Sequence, residues 1–470
     1  MTPTGRATEG PTPPPALPAT FEDAVAAVQA RGRFGIRLGL ARTRALLRAL
    51  GGPERGVRGA LIGGTNGKGS VVALVSACLD AAGRRAGDTP KPHLVTYRER
   101  LRIGGRPIDA AAFTDLVRAV LPVADDVARR HGPPTEFELM TALAFTWFAR
   151  EAVDLAVVEV GLGGRLDATH AWDGGVAAIT NVELDHTEWL GPTIAAIARE
   201  KAAIIVRGDR AVTGAAGAAL AVVRRRAHRL GVELIEASPA AVRAMDLEGL
   251  IVDLPGLPAT RVGLLGRHQA ANVAVADAVL DALGAAEIAH VPPAARRAGY
   301  AAARWPGRLE LIALPGAGPR GVDAQVLLDG AHNPAGATAL AAALDELRPR
   351  LRNGEGRRPV PPTLVLAIMG DKDLDGVLGA LAAAPSLAHA RVVATAVEGP
   401  RALPAEALAA RWSALAGPAS GPIVAVADPA AAVAAAVAAA EGPVVIAGSL
   451  YLVGAARALL VDDPDLRDPA

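Results

Sequence analysis

A single cysteine, Cys78, stands in 470 residues, and it lies inside an apolar stretch. Disulfide bonds and cysteine-based metal sites are therefore excluded. No uninterrupted apolar run approaches the ~20 residues needed to cross a bilayer. The N-terminal residues carry Arg6 and Glu9 among prolines and threonines and show no apolar signal core. Lys and Arg number 49 against 48 Asp and Glu, a net charge of +1. Neither nucleic acid nor an anionic membrane thus has an electrostatic reason to be a partner. These absences point to a soluble protein of a reducing compartment, the cytoplasm. The chain is long enough for two or three domains with substantial cores.

What is present is a glycine-rich stretch, Gly63-Gly64-Thr65-Asn66-Gly67-Lys68-Gly69-Ser70, placed between an apolar run (Ala60-Leu61-Ile62) and a helical pattern from Val71 to Ala82. A turn of this kind aims several backbone N–H groups and a helix N-terminus at one point, which suits a phosphate. Lys68 supplies a mobile cation for the β/γ-phosphates, and Ser70 a hydroxyl near the phosphates or their metal. The spacing departs from the general phosphate-loop pattern. Gly63 is one residue too close to Gly67-Lys68, and Gly69 separates the lysine from the hydroxyl. Four glycines, a lysine and a hydroxyl within eight residues still indicate a nucleotide site.

Along the chain, residues 1–19 are proline- and threonine-rich and read as disordered. Phe21 to Gly51 reads as helical, broken at Gly32–Gly35. Residues 88–102 look too proline-rich and charged to be buried, and 110–130 and 137–152 read as helices. Asp154–Val160 and Val176–Thr180 are short apolar runs typical of strands covered on both faces. Ligands of open parallel sheets lie beyond the carboxyl ends of the strands. Glu159 and the pair Asp185-His186 are therefore candidates to face the crevice of Lys68. A helix follows at 194–205, and strand–helix alternation continues to Leu283. After Pro306-Gly307 strand signals at 325–328, 364–369, 391–395, 423–427 and 444–447 alternate with alanine-rich helices, which argues a second parallel sheet. The insert 353–362 reads as a surface loop, and a domain boundary falls near 300–307.

Several separated stretches resemble the folylpolyglutamate synthase/dihydrofolate synthase family, a branch of the Mur ligases. They are GTNGKGS (64–70), PHL (92–94), TEFELMTALAF (135–145), VEVGLGGRLDAT (158–169), DHTEWLG (185–191) and EKAAI (200–204), then GRHQAAN (266–272), PGRLE (306–310), LLDGAHNP (327–334), GDKD (370–373) and GSLYLVG (448–454). They occur in the family's order over nearly the whole chain after residue 20. The resemblance implies an α/β, two-domain Mur-ligase-like fold. Residues 20–303 would form an ATP-binding P-loop domain and 304–470 a Rossmann-like glutamate-ligase domain. It implies a reaction in which ATP phosphorylates a carboxylate of dihydropteroate or a reduced folate, and the amine of L-glutamate attacks the acyl phosphate.

The same resemblance assigns residues. Thr65, Asn66, Gly67, Lys68, Gly69 and Ser70 would hold the nucleotide, with Asn272 from the first domain and Arg308, Asp329 and His332 from the second. Glu159 and His186 match metal ligands, with Asp185 orienting the imidazole. Lys201 matches a lysine that CO₂ carbamylates, turning a cation into an anionic oxygen ligand for a second Mg²⁺. Ser70 would complete the metal sites, and a monovalent cation such as K⁺ belongs to the same implication. Lys68, His186 and Lys201 would be the catalytic set. The pterin positions correspond to Leu40, Arg42, His93, Arg100, Thr135, Phe137, Glu138 and Asp167, with Phe137 able to stack on a flat heterocycle. A monomer is implied.

The chain departs from the family at Lys91, where a metal-binding serine usually precedes Pro-His-Leu. An ammonium has no lone pair and cannot ligate a metal. Lys91 either contacts a phosphate directly or turns outward to solvent. Smaller departures are Ala203 for glycine and His170 for asparagine. Two other readings stand beside the leading one. A peptidoglycan Mur ligase would need a nucleotide-sugar domain before the loop, and only about 60 residues precede Gly63. A nucleotide-binding regulator disabled by Lys91 would bind ATP without substrate-dependent phosphate release.

Overall fold

The computed structural model describes residues 17–35, 37–351, 360–399, 401–416 and 421–469. The first sixteen residues, and most of the insert at 353–362, lie outside the described residues. The first sheet contains β1 (Gly59–Gly63), β2 (Ala86–Thr89), β3 (Arg102–Ile103), β4 (Arg106–Pro107), β5 (Leu155–Glu159), β6 (Gly175–Ile179), β7 (Arg210–Thr213) and β8 (Leu234–Glu236). Their order is β4-β3-β2-β5-β1-β6-β7-β8. All neighbours are parallel except the β2–β3 and β3–β4 pairs.

The apolar runs at β1 and β5 are buried throughout because helices cover both faces. Side chains alternate across the sheet with period two. Ala60 and Ile62 pack with the helices Lys68–Ala81 and Gln269–Ala285. Leu61, Ala156 and Val158 pack with Ala110–His131 and Glu136–Arg150 on the other face.

The stretch 88–102 is not an exposed loop. It begins as β2, and Asp88 is fully buried against Arg102 at 2.7 Å. Thr96 and Arg98 are buried as well, because Asp468 and the Arg467 carbonyl from the C-terminal end bind them. The charges are neutralised pairwise, and the pairing partners are too distant in sequence to be anticipated. A second correction concerns residues before Leu283. There β9 (Ala241–Asp246), β10 (Gly249–Leu254) and β11 (Leu257–Val262) form an antiparallel meander rather than a strand–helix repeat.

The third sheet contains β12 (Glu310–Leu314), β13 (Ala324–Leu328), β14 (Thr363–Leu366), β15 (Arg391–Ala394), β16 (Ile423–Ala425) and β17 (Val444–Ala447), in the order β12-β13-β17-β14-β15-β16. It is parallel, as expected, except for the edge strand β12, which runs antiparallel to β13.

The two α/β units meet closely. An apolar cluster continues from the Lys68–Ala81 side of the first sheet through Leu309 and Ala331 into the second unit. Arg267 forms a two-bonded ion pair with Glu346 at 2.7 and 2.8 Å. Helix Leu450–Leu460 approaches the 92–94 loop so tightly that a Cβ on Gly454 would lie 2.0 Å from the Leu94 carbonyl oxygen. Only glycine allows this approach, and it sets the carboxyl ends of the first sheet against the second unit.

Candidate active site

The glycine-rich loop leaves β1 at Gly63 and opens the helix Lys68–Ala81. Gly67 caps that helix at φ 80°, and a Cβ there would lie 2.1 Å from Asn272 Oδ1. Side chain and backbone from the end of β6 lock the loop's outer edge. Thr65 N–H donates to Asn181 O at 3.0 Å, Asn66 N–H to Asn181 Oδ1 at 2.8 Å, and Thr180 Oγ1 to Asn66 O at 2.6 Å. The cradle is thus preformed, with glycine where a side chain would fill it.

Three lysines surround this cradle. Lys68 donates to the carbonyls of Gly64 (3.1 Å) and Thr65 (2.9 Å), and Lys201 donates to the same Gly64 carbonyl at 2.8 Å. Burial disfavours the ammonium of Lys68, while Glu159 and Asp185 oppose that effect. Lys201 is 5% exposed, and its burial, then the nearby Lys68 charge, lowers it to about 7. Lys201 is not a surface lysine, and its neighbour Glu200 binds Arg165 at 3.0 Å. Lys91 does not turn outward either. Its ammonium donates to the Glu159 carbonyl and lies 4.9 Å from the centre of the Phe137 ring. Its backbone N–H holds Glu159 Oε2 at 3.0 Å. Burial lowers Lys91 to about 8.

Glu159 ends β5 in register with Ile62 of β1, and burial raises its pKa against the pull of Lys68 and Lys91. His186 stands at φ 50° before the short helix Thr187–Leu190, with its side chain 44% exposed. Asp185 does not orient that imidazole, because the closest approach is 3.9 Å. It instead reaches across to Lys372 at 3.3 Å and to Asn333 Nδ2 at 3.3 Å. The reason is tertiary, since the second unit brings a cation and an amide to this carboxylate.

Burial by itself would raise Asp185, but Lys372, His186 and His332 overcome it and hold the carboxyl at about 2, below its usual 3.8. A depressed carboxyl adds stability above its unfolded pKa and loses it as pH falls through the folded value. Asp185→Asn is therefore expected to cost about 2 kcal/mol at pH 7. Urea unfolding should show an undiminished deficit at pH 5 that fades only toward pH 2. A deficit that stays constant from pH 7 down to pH 2 would show a carboxyl with its ordinary pKa.

From the second unit, Asp329 at the end of β13 accepts Leu309 N–H at 2.9 Å and Ala331 N–H at 2.8 Å. Burial raises it, and Arg308 and His268 counter that shift. Burial also lowers Arg308, and pushes His332 to about 4 with its Nδ1 2.7 Å from Gly330 O. Asn272 donates to Gln269 Oε1 at 2.8 Å. A cavity of about 640 Å³ collects residues 64–70, Lys91, Glu159, His186, Lys201, Asn272, Arg308, Asp329 and His332. Of the nucleotide, metal and catalytic residues expected from sequence, none lies elsewhere.

The pterin set divides. Thr135, Phe137, Glu138 and Asp167 line a second cavity of about 430 Å³, which shares Gly161, Leu162 and Arg401 with the first. Leu40, Arg42, His93 and Arg100 line neither. Leu40 precedes the helix Ala41–Ala49, and Arg42 pairs with Glu138 at 3.0 Å. Arg100 Nε donates to His93 Nδ1 at 2.8 Å and its guanidinium pairs with Glu136 at 3.2 Å. Burial pushes His93 to about 3. Asp167 uses both oxygens on the loop, accepting from the N–H groups of Gly161, Leu162 and Thr169. Sequence reasoning missed Lys372, Asn333 and Arg401. The first two sit in the GDKD and DGAHNP stretches and could have been nominated; Arg401 carries no local signal.

Among the described residues no three His, Cys, Asp or Glu side chains cluster to hold a metal by themselves. Mg²⁺ commonly takes one or two carboxylates and completes its shell with phosphate oxygens and water. Glu159 and Ser70, lining one cavity with the phosphate cradle, fit such a shared ion.

Residues 62–280 match the Mur ligase middle domain and residues 307–450 the Mur ligase glutamate ligase domain. The chain is 36% identical over 344 residues to the dihydrofolate synthase/folylpolyglutamate synthase of Bacillus subtilis, covering 69% of this chain and 76% of that protein. It is 38% identical over 397 residues to the enzyme of the same name from Mycobacterium tuberculosis, covering 79% and 76%. The structure resembles Mycobacterium tuberculosis folylpolyglutamate synthase complexed with ADP and AMPPCP, with a TM-score of 0.81, 35% identity, and 94% and 100% of the two chains covered. It also resembles E. coli FolC in complex with DHPP and ADP, with a TM-score of 0.78, 28% identity, and 94% and 97% covered.

Proposed function

The chain belongs to the folylpolyglutamate synthase/dihydrofolate synthase family of the Mur ligases, and from that premise we propose how its two cavities divide the work. The activity is ATP-dependent ligation of L-glutamate to folates. On our reading both acceptors, dihydropteroate and reduced folate, use the same site. The nucleotide phosphates lie in the cradle of residues 65–70, with Asn272, Arg308, Asp329 and His332 around the rest of the nucleotide. The heterocycle lies in the second cavity against Phe137, between Thr135, Glu138 and Asp167. The observation that carries this reading is the junction of the cavities at Gly161 and Leu162, directly beyond Glu159.

Held end to end, the two substrates react in balance. An acceptor carboxylate oxygen attacks the γ-phosphorus and ADP leaves. The glutamate amine then attacks the acyl carbon, phosphate leaves, and the nitrogen gives up a proton. This chain contributes orientation, the Lys68 ammonium beside the phosphates, and a part-buried site in which that charge acts strongly. Glu159, His186, Ser70 and a carbamylated Lys201 would hold the metal ions, two Mg²⁺ with a monovalent cation such as K⁺ nearby. Bound there, Mg²⁺ would supply charge neutralisation between the phosphates and the carboxylate. We read the molecule as a cytoplasmic monomer divided at residues 303/304.

Phosphate release with dihydropteroate and with tetrahydrofolate, each with and without glutamate, tests this. Release that requires both glutamate and an acceptor is expected, with either acceptor accepted. Release independent of the acceptor would mean a nucleotide-binding regulator, and turnover with one acceptor alone would remove the dual activity.

A further inference from the structure

Lys91 is the charged residue that the family pattern does not explain, and its surroundings indicate what it binds. Its Nζ donates to the Glu159 carbonyl and stands 3.5 Å from Thr89 Oγ1. Among the described residues no carboxylate forms an ion pair with it. The two carboxylates nearest in effect, Asp167 and Glu159, are engaged elsewhere. Asp167 accepts from three loop N–H groups, and Glu159 Oε2 accepts the Lys91 backbone N–H, not its ammonium. An ammonium taken out of water without a counter-charge is costly. An ammonium also has three donor protons, and among the described residues the Glu159 carbonyl and Thr89 Oγ1 account for two of them.

Its location separates it from the other two lysines. Lys68 and Lys201 both point at the Gly64 carbonyl, on the phosphate cradle. Lys91 follows β2, reaches the backbone carbonyl at the end of β5 and lies over the face of Phe137, which lines the second cavity. Lys91 itself lines the first. It therefore occupies the joint through which an acceptor must pass its carboxylate to meet the γ-phosphate.

We propose that the Lys91 ammonium is the counter-ion of the acceptor carboxylate, holding it at the joint of the two cavities for transfer. This rests on the cavity assignment above. A lysine suits the task as a compact point charge that tolerates the change from carboxylate to acyl phosphate without a fixed ligand geometry. The ring of Phe137 would then carry both ends of one recognition device, the heterocycle on one side and the lysine over its face.

The test compares binding of dihydropteroate with that of an otherwise identical analogue lacking the carboxylate, both in the presence of ADP. Titrations by tryptophan fluorescence would use the parent, Lys91→Met and Lys91→Arg. Lys91→Met is expected to weaken dihydropteroate about ten-fold, the size of one charge-assisted bond, and to leave the analogue and ADP within about two-fold. Lys91→Arg should recover part of the loss, and Lys91→Gln replaces Lys91→Met if that variant fails to fold. The proposal is overturned if a folded Lys91→Met binds dihydropteroate as the parent does, or loses both ligands equally. It is also overturned if the loss is confined to a non-hydrolysable ATP analogue relative to ADP, which would place the ammonium on the γ-phosphate. A parent protein that binds neither pteroate ligand would instead refute the cavity assignment, and this proposal with it.

Discussion

Replacing Lys68 with alanine is expected to lower kcat by about three orders of magnitude while leaving the fold intact. In the unliganded arrangement the ammonium rests on two carbonyls of its own loop, Gly64 and Thr65. Those are weak partners for a cation whose burial already disfavours its charge. A phosphate brings the counter-charge that the loop lacks, and transfer to a carboxylate concentrates that charge further. The ammonium is thus worth more in the transition state than in the ground state, so kcat should fall more than ADP affinity. Lys68→Arg should not restore the rate, because a longer, planar guanidinium does not reproduce the point charge that Lys68 places beside the Gly64 and Thr65 carbonyls. Steady-state phosphate release with both acceptors, alongside ADP titration, measures the split. A Lys68→Ala enzyme within a few-fold of the parent would mean that the loop is not the site of transfer.

The second large effect is expected at Lys201. Its side chain is enclosed, donates to the Gly64 carbonyl at 2.8 Å, and is shifted to about 7. A lowered amine is neutral above that value and protonated below it, and only the neutral form reacts with CO₂. The N–C bond forms, one proton leaves to solvent, and an anionic oxygen replaces a cation beside Lys68. Activity should therefore fall in CO₂-depleted buffer and recover with bicarbonate, with the response growing as pH rises from 6 to 8. Lys201→Ala should lose about a hundred-fold or more in kcat, and formate or acetate should restore part of it by occupying the vacated place. Parent activity that is indifferent to CO₂ across this range would end the carbamate proposal.

Much of the site was legible before any fold was known, for reasons that differ by residue. The phosphate cradle is local: Gly67, Lys68 and Ser70 are neighbours, and their geometry follows from a strand-to-helix turn. Glu159 could be placed because an apolar run ending in a carboxylate reads as a buried strand with its functional end at the carboxyl terminus. Asp185 was misread because its partners, Lys372 and Asn333, lie far along the chain and on the other unit. The stretch 88–102 was misread for the same reason, since Arg102, Asp468 and Arg467 neutralise what looks too polar to bury.

The division follows the range of the forces involved. Sequence alone determined the parallel strands, the helices that cover them, the glycine-rich cradle and the family. Apolar periodicity, turn chemistry and motif order act between neighbours or over one element. Only the tertiary structure decided that Lys91 faces inward, that Lys201 is buried against the cradle, that Asp185 bridges the two units, and that four of the expected pterin positions line neither cavity. Each of these depends on which charge finds which partner once water is excluded. That balance of desolvation against pairing is set by groups distant in sequence, and no local pattern records it.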